Sequence, residues 1–224
     1  MSYQLSETPT LEAVATGDEA LLERDLQAKV EEAVRQAEAT PAVAAATGAQ
    51  AAAAGRLAHL RTAERVLNRQ SKEARDQAAM MGAAVLDSLV ESAGSGDAGS
   101  VEVKKVAQLA AVEDRIRFTG RAIERLAEQQ IPVAEIASMR EESHALMAQC
   151  RALEQMAQER AEKVLGQIRA AVSEEMVLPV DMSKGVAGAL LARAAGLKSR
   201  AVRISQQADE VERAFQARVL RGGE

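Results

Sequence analysis

Glu141 and His144 stand three residues apart, a Glu-x-x-His pair. On a helix this spacing puts a carboxylate and an imidazole on one face, which is half of the ligand set of a di-iron carboxylate bundle. A complete site needs a second such pair. The only other histidine, His59, has Arg56 three residues before it, where a glutamate is required. No metal site is expected, and His144 reads as a surface or seam-edge residue. Cys150 is the single cysteine, so no intrachain disulfide forms. It falls between Leu146 and Leu153 in an apolar register, the setting of a small buried hydrophobe rather than of a nucleophile. His144 lies nearly opposite to it in angle on an ideal helix and cannot serve it as a base. Gly-x-Gly-x-x-Gly, a phosphate loop and Gly-x-Ser-x-Gly are all missing from the sequence. No catalytic residue, cofactor or metal ligand is therefore assigned, and the chain reads as a non-enzyme. An enzyme pocket assembled between helices would leave no mark in the sequence.

The charged residues offer binding rather than catalysis. Arg61, Arg65, Arg69 and Lys72 follow one another at spacings of 4, 4 and 3, which aligns them as a stripe on one side of a helix. Such a stripe suits either an anionic ligand or the acidic helix expected before it. Nearer the C-terminus stand Arg193, Lys198, Arg200 and Arg203, most of which flank an apolar seam at positions that select an oppositely charged partner helix. Glu31-Glu32, Glu141-Glu142 and Glu174-Glu175 lie among arginines with no apolar pocket around them, and read as solvated faces. With only Tyr3, Phe118 and Phe215 carrying aromatic rings, the chain lacks the stacking groups of nucleic-acid modules, so no sequence-specific nucleic-acid binding is expected.

These residues must be positioned by helices. The chain has 224 residues and is 47% hydrophobic, enough apolar material to fold. Much of it is alanine, so the expected core is narrow and long rather than deep. The net charge of -5 is unevenly spread: residues 1–40 hold nine acidic and three basic side chains, and residues 182–221 hold three and eight. Pairing of the acidic first helix with the basic last one is the expected use of that asymmetry. The N-terminus lacks a secretion signal, and no apolar run approaches the roughly 20 residues that span a bilayer, which points to a cytoplasmic protein.

Prolines and one glycine-serine patch punctuate a helical period. Thr8-Pro9 and Thr40-Pro41 each read as an N-cap followed by proline at the first helical position. They predict helix A over about residues 10–39 and helix B over about 42–92, with low-complexity alanine between Pro41 and Gly55. Gly94 to Ser100 is a flexible linker. Helix C is expected at about 101–130, helix D at about 132–177 after a tight turn or kink at Pro132, and helix E at about 182–221 after Pro179 and Asp181. The expected organisation is an N-terminal segment 1–92, a linker 93–100 and a three-helix segment 101–224, together one structural unit. The fold class is all-α: an elongated bundle of about five long alanine-rich helices with coiled-coil-like packing.

Helix E carries the strongest pattern. Leu190, Ala194, Leu197, Ala201, Ile204, Ala208, Val211 and Phe215 recur at strict 4-3 spacing, a heptad seam in which large residues alternate with alanine. Helix D repeats the register through Ile136, Met139, Leu146, Cys150, Leu153, Ala157 and Val164, and helix C through Leu109, Val112, Ile116, Ile123 and Leu126. Gly185, Gly188, Ala192 and Gly196 form a small-residue strip suited to close helix contact. The function expected is that of a structural, assembly or adaptor protein acting through homo-oligomerisation or a helical partner. Leu190, Leu197, Ile204, Val211 and Phe215 are its expected anchors, with Arg193, Lys198 and Arg200 setting partner charge. The alternative is peripheral contact with an anionic membrane through the basic stripes of helices B and E, Arg61, Arg65, Arg69 and Lys72 on the former.

Overall fold

The computed structural model describes residues 19–95, 103–171 and 185–221, with side chains over 23–91, 105–170 and 185–221. The elements are α1 (Glu19–Glu38), α2 (Pro41–Ser95), α3 (Val103–Arg125), a π-helical turn (Leu126–Gln130), α4 (Ile131–Ala171) and α5 (Val186–Arg221). No strand occurs among the described residues, and the fold is an all-α helical bundle. Thr8-Pro9, Gly96 to Ser100, Glu174-Glu175, Pro179 and Asp181 lie outside the described residues.

Among the described residues the expectation of five helices is corrected to four rods, because the predicted helices C and D are one. The chain neither turns nor ends at Pro132; α3 passes through the π turn directly into α4. Proline inside a helix lacks an amide hydrogen and its ring collides with the carbonyl four residues back. The wider π turn immediately before it relieves both problems. Ile131 donates its amide hydrogen to the carbonyl of Leu126, five residues back, and the backbone stays right-handed helical at Arg125 and Ile131. The turn also adds one residue to the apolar spacing: Ile123 is followed on the inner side by Ala127, Ile131 and Ala134, at steps of 4, 4 and 3.

Pro41 does start a helix. Ala44 donates to the Thr40 carbonyl at 2.9 Å, so Pro41 occupies the first helical position, where its missing amide hydrogen costs little. Thr40 is not a forward cap, however. Its hydroxyl turns back to donate to the Ala37 carbonyl at 2.8 Å and closes the end of α1 instead.

The chain divides into two compact units. The first contains Met1–Ala53 and Ala137–Glu210, and so α1, the start of α2, and most of α4 and α5. Its core is Ala33, Val34, Ala37, Cys150, Leu153, Ala157, Val186, Ala187, Leu190 and Ala194. In α4 the buried positions Ser143, Leu146, Cys150, Leu153 and Ala157 step by 3 and 4, as do the buried Ala187, Leu190, Ala194 and Ala201 with the half-buried Leu197 in α5. The two helices approach so closely that the Ser143 hydroxyl donates to the Ala201 backbone carbonyl at 2.9 Å. Serine and alanine at this point of the seam are small enough to permit that approach. Around the contact, Arg200 reaches Glu142 at 2.8 Å and Arg140 reaches Asp209 at 3.8 Å.

The second unit contains Ala54–Ile136 and Val211–Glu224. Its two long arms are the rest of α2 and the α3–α4 segment. Arg61 donates to Glu135 at 3.2 Å. Arg61 stands 34 residues before the end of α2 and Glu135 stands 32 residues after the start of α3, so the arms from this contact are about equal, roughly 50 Å each. Equal arms on either side of a short connection define an antiparallel hairpin. Along α2 the inner positions Leu57, Leu60, Glu64, Leu67, Ser71, Ala74, Ala78, Met81, Val85 and Ser88 keep a strict heptad register. On α3 the matching positions are Leu109, Val112, Ile116, Thr119, Ile123 and Leu126. Few are fully buried: within the arms, Ser71, Ala74, Thr119, Ala134 and Ile136 are.

Candidate functional site

In the first unit the chemistry-bearing residues stay apart from one another. His144 approaches Glu141 at 3.9 Å through Nδ1, but the imidazole side chain is 72% exposed. Among the described residues no cluster of three or more His, Cys, Asp or Glu side chains has metal-binding geometry. Cys150 is 1% exposed, and burial, reinforced by the negative charge and hydrogen bond of Glu154, pushes its thiol pKa up. Both effects keep sulfur protonated, the opposite of what a nucleophile needs.

The seam expected on the last helix divides by side-chain size. Ala194, Ala201 and Ala208 are buried with Leu190, while Leu197, Ile204, Val211 and Phe215 are half-buried. Leu190 and Leu197 belong to the core of the first unit, so α5 meets helices of its own chain along this stretch. The flanking charges do likewise: Arg200 pairs with Glu142, and Arg193 lines a 40 Å³ crevice with Val34, Glu38, Leu153 and Leu197. Beside the seam, Ala157, Gln158 and Ala161 of α4 and Ala187, Gly188 and Leu191 of α5 line a cleft of about 750 Å³. Its walls are mostly apolar, with Glu154 the one carboxylate and Gln158 the one amide, so it can hold an apolar group and offers no reacting pair.

The stripe of Arg61, Arg65, Arg69 and Lys72 lies on the exposed side of α2. Arg61 meets Glu135 on the opposite arm of the second unit rather than the acidic α1. That pair is half-exposed on the arginine side and contributes little to stability.

The second unit shows large apolar side chains on its outside. Val66, Met80, Phe118 and Val133 are 46%, 76%, 75% and 52% exposed. In the register of the seam each of these four stands at the same heptad position, c, one residue before an inner d position. The pattern in α2 that reveals this is interrupted by Gln50, Glu64, Ser71 and Ser88, which hide the heptad from a reading based on apolar residues alone. No family model, curated protein or solved structure matches the chain.

Proposed function

We propose that the protein is a non-enzymatic assembly protein that works by self-association of its helices. The observation that carries this reading is the large apolar surface left outside the second unit. Its inner positions mix Leu60, Leu67, Ile116 and Ile123 with the small Ser71, Ala74, Thr119 and Ala134, while Met80 and Phe118 are three-quarters exposed. Large exposed apolar residues on an elsewhere charged helix mark a contact surface. Val211 and Phe215, half-buried in the same unit, add to its apolar material. A cytoplasmic setting fits the reading, and among the described residues no helix is long and apolar enough to cross a membrane. Sedimentation velocity over a concentration series tests it. The expected result is a mass that rises from one chain to a multiple of it. A single-chain mass up to about 100 µM, weaker than any association of functional strength, would refute it.

A further inference from the structure

Four exposed apolar positions of the second unit, Val66, Met80, Phe118 and Val133, fall on one side of its hairpin, while Leu86, Leu89, Val90 and Val106 are exposed at other heptad positions. With Arg61 level with Glu135, an antiparallel register puts Met80 within about one helical turn of Phe118 in height, and Val66 within a turn of Val133. All four share heptad position c, which in an antiparallel pair places them on the same flank, opposite the flank of the Arg61–Glu135 contact. Between the two apolar levels stand Glu73 on α2 and Arg125 on α3, also at c and both exposed.

Charge on this flank is segregated by arm. From Val66 onward the c and g positions of α2 carry the acids Glu73, Asp87 and Glu91, and those of described α3 carry the bases Arg115 and Arg125; Arg56, at g below this stretch, is the basic exception on α2. Two side chains at c point outward from their own hairpin and diverge from each other, so the opposite signs are displayed to a neighbour. The face is self-complementary for one symmetry. A two-fold axis parallel to the hairpin sets α2 of each copy against α3–α4 of the other at equal height. Glu73 then meets Arg125, Met80 meets Phe118 and Val66 meets Val133. An axis perpendicular to the hairpin sets α2 against α2 and brings Glu73 onto Glu73, which is repulsive.

Building on self-association as the protein's mode of action, we infer that a second copy of this chain docks on the Val66–Met80–Phe118–Val133 face about a two-fold axis parallel to the hairpin. The result is a four-helix arrangement in which the outer apolar residues of two hairpins become a shared interior.

Cross-linking tests the geometry. Chains bearing Met80→Cys are mixed with chains bearing Phe118→Cys and treated with a short bis-maleimide. Both positions are exposed, and the buried Cys150 stays inert, which the unsubstituted chain treated with the same reagent checks. The expected product is a cross-linked pair in the mixture, with little from either variant alone. Charge reversal supplies the second arm: Glu73→Arg and Arg125→Glu should each weaken self-association about tenfold, and the two together in one chain should restore it. Self-association that persists with no cross-link in the mixture, or a double reversal no better than the singles, would overturn this face while leaving the proposed function standing. A single-chain mass at about 100 µM would overturn both.

Discussion

Leu190→Ala is the sharpest probe of how the first unit holds together. Leu190 is 0% exposed and is one of four large side chains that are completely enclosed, with Leu153, Val43 and Cys150. Truncation removes three carbons whose burial contributes about 2 kcal/mol. The hole they leave adds a further cost of about 24 cal/mol per Å³. Collapse around the hole is limited here, because Ala157, Ala187 and Ala194 of the same cluster have no side-chain rotamers to swing inward. A residual cavity of roughly 60 Å³ adds about 1.5 kcal/mol, giving about 3.5 kcal/mol in all. Urea unfolding followed by far-UV circular dichroism should show the midpoint falling by about 1.7 M for a slope near 2 kcal/mol/M. Should the two units unfold separately, the shift belongs to one transition only. Leu191→Ala is the control: its side chain is 51% exposed, and the loss should stay below about 1 kcal/mol. A Leu190→Ala loss under about 1 kcal/mol would show that alanine-walled interiors repack, and would refute the rigid-seam argument.

Other outcomes follow from the same geometry. Ser143→Ala should cost about 1 kcal/mol or less in thermal or urea unfolding, since the Ala201 carbonyl keeps its place in a continuous helix, whereas Ser143→Val should cost about 2 kcal/mol by forcing α4 and α5 apart. Cys150 should resist thiol reagents in the native protein at pH 8 and react promptly in urea. Its pKa is raised on folding, so its stabilising contribution is complete below the unfolded thiol's pKa and is lost as pH rises toward the folded value, which urea titrations above pH 9 would detect. Arg61→Glu should destabilise by under about 1 kcal/mol, with recovery in the Arg61→Glu, Glu135→Arg double variant, because the pair is partly exposed. Vesicles containing anionic lipid should fail to carry the chain on flotation at about 0.15 M salt; flotation abolished by Arg65→Glu and Arg69→Glu would replace self-association with membrane contact.

The helices were legible because alanine, leucine and charged residues repeat at helical period, and the α5 seam could be read residue by residue from Leu190 to Phe215. That seam is legible for a physical reason: its large members alternate with alanine and no polar side chain interrupts it. The continuity of α3 and α4 was not legible. Proline ordinarily ends or bends a helix, and the π turn that accommodates Pro132 depends on a backbone bond from Ile131 to Leu126 that no residue type announces. The heptad of α2 was concealed by Glu64 and Ser71, which occupy inner positions only because the thin hairpin leaves Glu64 half-exposed there. Equally concealed were the outward Met80 and Phe118. An apolar residue off the seam looks incidental until the opposite arm supplies a second one at the same height.

The large apolar groups left outside the hairpin also set how stability should respond to assembly. Leu60, Leu67, Ile116 and Ile123 stand between the arms, but Ser71, Ala74, Ala78 and Thr119 interrupt them. Alanine and serine allow the arms to lie close but bury little area, at about 25 cal/mol per Å². The larger payload, Phe118 above all, is realised only when something covers it. A neighbour that covers the folded hairpin and ignores the unfolded one stabilises by mass action, so the second unit should melt at a temperature that rises with protein concentration. The first unit encloses Leu153, Leu190, Val43 and Cys150 within one chain and has no such dependence. Conversion of Phe118 to serine should therefore remove the concentration dependence while leaving the dilute-limit transition of either unit nearly unchanged, a separation that a merely loosened hairpin would not produce.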